Sequence, residues 1–120
     1  MIEKVLLDYL KECLTTTVGT STVTVPVYME VPEKMPDKFV VLEKTAGGME
    51  DHIYESTFAI RSYAMSMYDA ACLNEEIKGH MLYGGTPAEV CSVRLNSDYN
   101  YTDTSTKRYR YQAVYDIYHY

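Results

Sequence analysis

The chain has 120 residues, of which 47% are hydrophobic and 23% charged, with a formal net charge of −6 and 13 Tyr beside only 2 Phe. That length suits one domain able to bury its own core, and the composition excludes disorder over the whole chain. The acidic balance excludes a phosphate-binding surface of clustered Lys and Arg, and runs such as Phe39–Leu42 are far short of the roughly 20 apolar residues a membrane helix needs.

Residues 2–14 read as an amphipathic helix. Ile2, Val5, Leu6, Tyr9, Leu10, Cys13 and Leu14 recur at helical spacing, and Glu3, Lys4, Asp8, Lys11 and Glu12 take the other side. Leu7 falls off the stripe and is expected at the surface. The Thr-rich stretch 15–22 has little helix propensity, and Gly19 within it is expected to stop the helix. Val23–Glu30 is β-prone, but Pro26 confines it to an edge strand. Residues 31–38 read as an exposed turn with two prolines and four charges.

Phe39–Thr45 and Ile53–Ala64 predict two strands of a β-hairpin, with Ala46–His52 as an extended tip. In the second strand Tyr54, Phe58 and Ile60 are expected on one side. Glu55, Thr57, Ala59, Arg61 and Tyr63 take the other, more polar side. Ser66–Tyr83 predicts a second helix, opened by Ser66 with Asp69 and closed at Gly84–Gly85–Thr86–Pro87. Ala70, Leu73, Ile77 and Met81 make its apolar stripe. Glu89–Leu95 and Tyr109–Tyr118 read as a final strand pair, joined by a polar loop from Asn96 to Arg108. The order αβββαββ implies an α+β domain spanning residues 1–120, with two helices on one face of a mainly antiparallel sheet. A mixed sheet stays open, as does the strand order.

Chemistry is sparse. Cys72 and His80 lie two helical turns apart, too far for a thiolate–imidazole pair. His52 sits in a loop and His119 at the chain end, neither with a partner evident in sequence. Glu75–Glu76 reads as a solvated helix face, and the Gly-Gly pairs lack the features of a phosphate loop. Cys13, Cys72 and Cys91 have no metal-ligand spacing and are expected as buried or half-buried free thiols. No catalytic, metal or cofactor site is expected. The N-terminal Met1–Val5 lacks the pattern of a secretory signal, which predicts residence in a cytoplasm.

Several strings resemble the tail terminator, or tail completion, proteins of long-tailed bacteriophages. They are an N-terminal helix, Val25–Pro32, Phe39–Gly48, the passage Arg61–Ser66 into the second helix, Tyr99–Asp103, and Arg108–Gln112 leading into the last strand. The resemblance implies a minor virion protein, from a phage or prophage, without an active site. It implies a hexameric ring that caps the tail tube at the head-proximal end and joins it to the head–tail connector, assembled in the host bacterial cytoplasm. Its partners would be itself, the tail tube protein and the connector, with no specific nucleic acid and no membrane. The acidic balance fits a channel through which DNA slides without sticking. A closed ring needs a heterologous interface. The candidate adhesive segments are Ala46–His52, with Met49 at its tip, and Tyr99–Tyr111, where Tyr99, Tyr101, Arg108 and Arg110 are the candidate subunit or tube contacts. Alternation of Arg108 and Arg110 with Tyr109 and Tyr111 places guanidinium groups on one side of the last strand and rings on the other, the competing reading being core aromatics beside solvated arginines. The alternatives to a terminator are a head–tail joining or neck protein and a small binding domain unrelated to phage, with an enzyme last.

Overall fold

A computed structural model describes residues 1–18, 21–50, 52–102 and 108–120. Its elements in chain order are α1 (Ile2–Cys13), β1 (Thr15–Val18), β2 (Ser21–Thr24), β3 (Val27–Tyr28), β4 (Phe39–Glu50), β5 (Ile53–Ala64), α2 (Met67–Tyr83), β6 (Val90–Asn100) and β7 (Tyr109–His119). Five strands form one sheet in the order β3-β4-β5-β7-β6, and β1-β2 form a separate antiparallel pair. The sheet is mixed, because β3 runs parallel to β4 while every other neighbour is antiparallel. This is the α+β arrangement the sequence implies.

Helix α1 ends where expected, capped at Leu14, whose N–H donates to the Leu10 carbonyl at 2.9 Å. The Thr15 hydroxyl donates to the Lys11 carbonyl at 2.8 Å and closes the last turn. The β-branched run from Thr15 to Val18 then favours a strand over a loop, and it pairs with Ser21–Thr24. Gly19, the expected helix stop, lies outside the described residues. Pro26 divides the expected edge strand. Only Val27 and Tyr28 join the sheet, at its edge, beside Val40 and Val41.

The main core lies between the helices and the sheet. Leu6, Leu10 and Leu14 meet Leu73, Ile77 and Met81 over Val40, Leu42, Phe58, Ile60, Ala113, Tyr115 and Ile117. Each buried side chain of this size contributes about 1.5–3 kcal/mol through lost contact with water. Ser66 opens α2 as expected, its hydroxyl accepting from the Asp69 N–H at 3.1 Å. Leu7 is half-buried against the core rather than a surface residue, since the apolar arc of α1 is wider than the main stripe.

On the opposite face Phe39, Val41 and Tyr63 form a second, smaller buried cluster, with Tyr28 packed against it. Tyr63 thus lies on the side expected of it, opposite Phe58 and Ile60, but at this end of the strand that side is apolar and buried. Its ring stacks on Phe39 with centroids 4.4 Å apart and an interplanar angle of 7°.

Asn74 sits within the apolar stripe of α2 and is buried. Its Nδ2 donates to Asp98 Oδ2 at 3.2 Å, and Lys78 Nζ donates to the same oxygen at 2.8 Å. Asp98 lies on β6 rather than in a loop, so this pair of bonds fastens α2 to the edge strand. Lys78 holds the Asp98 carboxyl below the usual carboxylate range, and Asp98, then Glu75, raises the Lys78 ammonium. The depressed carboxyl contributes stability above an unfolded pKa of about 4, which is lost as pH falls through the folded value. The raised ammonium contributes below about pH 10 and loses its share as pH rises through its folded value. Asp98→Asn is expected to cost about 1 kcal/mol near neutral pH and to flatten the acid limb of stability in urea titrations. An unchanged acid limb would show that the carboxylate adds nothing.

Candidate interaction surface

Antiparallel pairing of β4 with β5 continues from Phe39↔Tyr63 as far as Glu50↔Ile53, so Ala46–Glu50 is strand rather than loop. Gly47 and Gly48 pair with Ser56 and Glu55 instead of turning the chain. β4 runs on to Glu50 and β5 begins at Ile53, and His52 just before β5 has a φ of 66°, a left-handed conformation unusual outside Gly. A bulge between Lys44 and Ala46 takes Thr45 out of register, and its hydroxyl donates instead to the Thr57 carbonyl of β5 at 3.3 Å.

The outer part of this hairpin is apolar at its surface. Met49 is 61% exposed, Tyr54 47% and Ile53 38%, and Met49 and Tyr54 face each other across the two strands. Tyr54 shares the sheet side of Phe58 and Ile60, as the alternation requires, but it lies nearer the hairpin tip and stays exposed. Its ring stacks on His119 at 5.5 Å, and His119 Nε2 lies 2.8 Å from Ser56 Oγ. His119 thus meets Ser56, 63 residues away, a separation no local pattern discloses. An open groove of about 530 Å³ lies here, between Lys44, Gly47 and Met49 of β4 and Tyr54, Ser56 and His119 beside it.

The sheet face away from the helices carries a row of bonded polar side chains. Arg61 donates to Glu43 Oε2 at 2.6 Å and to Gln112 Oε1 at 2.9 Å, and Gln112 donates to the Tyr99 hydroxyl. One row therefore crosses β4, β5, β7 and β6. Beside it, Asp116 accepts from Thr57 at 3.0 Å and from Asn96 at 3.2 Å. These bonds hold the side chains in fixed positions and leave few unsatisfied groups.

The five candidate contact residues fall into two settings. Met49 stands on the hairpin, exposed. The other four lie where β6 leaves and β7 enters the sheet. Tyr99 and Tyr101 meet edge to face at 5.9 Å and are each about 40% exposed. Tyr99 belongs to β6, which runs to Asn100 and so occupies the start of the expected Asn96–Arg108 loop; residues 103–107 lie outside the described residues. The Arg110 guanidinium lies 4.4 Å over the Tyr101 ring and 5.9 Å from that of Tyr63, and its Nε donates to the Tyr101 carbonyl. Arg108 donates to the carbonyls of Pro36 at 2.9 Å, Met35 at 3.1 Å and Asp37 at 3.4 Å. Arg110 faces Tyr63 across the sheet, with Tyr109 and Tyr111 on the other side of β7, yet both arginines bond within the chain.

Other polar clusters serve the fold. Tyr9 donates to the His80 carbonyl at 2.7 Å, which links α1 to the last turn of α2. Burial, then a bond with Cys13, pushes its phenol up to about 12. Gly84 stands against this link, since an added Cβ would meet the His80 carbonyl at 2.6 Å and the Tyr9 hydroxyl at 2.7 Å. Cys13 is half-buried, but Cys72 and Cys91 are exposed, against the expectation of burial, Cys72 on the outward side of α2 and Cys91 at the irregular start of β6. Among the described residues no three His, Cys, Asp or Glu side chains converge as metal ligands, and no helix is long and apolar enough to cross a membrane. No protein-family model matches the chain, and no curated protein sequence matches it.

Proposed function

We propose that this protein is a ring-forming structural subunit, a tail terminator that caps a phage tail tube and joins it to the head connector, working by assembly and without catalysis. The observation that best supports this reading is the β4–β5 hairpin. Its outer end places Met49 and Tyr54 side by side in water on one side of the paired strands and Ile53 in water on the other, whereas a subunit with no partner gains nothing by exposing such large apolar side chains. The bonded polar row on the reverse face of the sheet gives a preorganised surface that assembles with little loss of side-chain freedom.

The test is mass by light scattering over a concentration series, with negative-stain images, alone and with purified tail tube protein. A closed ring is expected, alone or on the tube end. Met49→Asp, at a strand position already in water, is expected to keep the fold and weaken ring formation at least tenfold. A chain that stays monomeric and leaves the tube uncapped would overturn the proposal in favour of a small binding domain.

A further inference from the structure

The five-stranded sheet has two free edges. On one side β3 covers β4 only at Val40 and Val41, so the outer edge of β4 from Leu42 to Glu50 carries no described hydrogen bond to another strand. On the other side β6 pairs with β7 alone. Backbone groups along such edges are a template for a further strand.

We infer that the outer edge of β4 receives β6 of a second copy of this chain, so that one sheet runs on through successive subunits. Strand direction, length and facing choose this occupant. Within a subunit β4, β5, β7 and β6 alternate in direction, so β6 runs opposite to β4. A second copy set beside the first in the same orientation therefore brings β6 antiparallel to β4, in the more favourable kind of ladder. The free stretch of β4 and the 11 residues of β6 are of similar length. In this pairing the helices of both copies lie on one side of the joined sheet. Lys44, Gly47 and Met49 of one copy then share a side with Val93, Leu95 and Asp98 of the next, because in each subunit these residues lie opposite the core residues Phe58, Ile117, Tyr115 and Ala113 or beside them.

Local features favour the same place. Ala46–Met49 carries no charge. Gly48 is exposed, and an added Cβ there would meet nothing within 4 Å, so a side chain can be introduced at this strand position without a clash. Bulges between Lys44 and Ala46 on β4, and between Val90 and Ser92 and between Leu95 and Ser97 on β6, interrupt the two strands, which confines the shared ladder to their regular segments. The interface is heterologous, and every copy presents one edge and receives the other, so the series closes into a ring when the rotation per copy permits. The inference rests on the ring reading only in requiring a second copy.

The test mixes two single-site variants, Gly48→Cys and Arg94→Cys, each with Cys72→Ser and Cys91→Ser, and adds a short bis-maleimide linker at high protein concentration. Cross-links between residues 48 and 94 of different chains are expected to dominate in peptide mapping. Gly48→Lys, which has room for its side chain, is expected to leave the melting temperature within error and to raise the dissociation constant for self-association at least tenfold. Rings that form equally well with Gly48→Lys, or cross-links only between two copies of residue 48, would overturn the edge pairing while leaving the ring reading intact. A chain with neither ring nor cross-link, alone or on the tail tube, would overturn both.

Discussion

Tyr63→Ala is expected to destabilise the fold by about 3–5 kcal/mol, as truncation of a buried aromatic does. Tyr63 is 3% exposed and lies on the sheet face without helices. Its ring stacks on Phe39, which in turn meets Tyr28 edge to face at 6.1 Å, and Val41 completes the cluster. Removal of the ring leaves a cavity beneath Phe39 and takes away one of the two rings facing the Arg110 guanidinium. Tyr63→Phe keeps the ring and loses only the bond its hydroxyl accepts from Arg110 at 3.4 Å, so its cost is expected below about 1 kcal/mol. Urea unfolding at constant m-value would separate the two. A cost below about 1 kcal/mol for Tyr63→Ala would show that this cluster is surface decoration and that the helix-side core alone holds the sheet.

Helices and strands were legible where one periodicity governed. Leu6 with Leu10 and Leu73 with Ile77 follow helical spacing, and Phe58 with Ile60 follows the strand, so their buried sides can be read along the chain. Legibility failed where a partner strand overrode local preference. Gly47–Gly48 has the composition of a turn, but pairing with Glu55 and Ser56 holds it in a ladder. Asn96–Asn100 is polar enough for a loop, but β7 supplies its hydrogen bonds. The polar row from Glu43 through Arg61 and Gln112 to Tyr99 depends on the register of four strands, which no local window contains. Of the candidate contacts, the exposed Met49 followed from an apolar residue amid turn-like sequence. The internal partners of Arg108 did not, because they are backbone carbonyls about 70 residues away.

Arg108→Ala is expected to loosen the segment before β4, at a cost of about 2–3 kcal/mol. Three successive carbonyls, at Met35, Pro36 and Asp37, face one guanidinium. Bonds from a charged donor each contribute about 1.5–3 kcal/mol, but these overlap in one site and the freed carbonyls regain water, so the sum is well below three full bonds. Residues 31–38 carry no helix or strand, and Arg108 pins them to the start of β7. Trypsin provides a local readout, because Lys34 and Lys38 are exposed within the segment. Cleavage there is expected to rise about thirtyfold for a 2 kcal/mol easier opening, if opening equilibrates faster than cleavage. Arg108→Lys is expected to recover less than half of the loss, because a single ammonium does not reproduce a planar fork spread over three carbonyls. Full recovery with Lys would assign the effect to charge alone. Because Arg108 is bonded within the chain, its loss should also leave pairing between β4 and β6 of different copies intact, which separates loop anchoring from assembly.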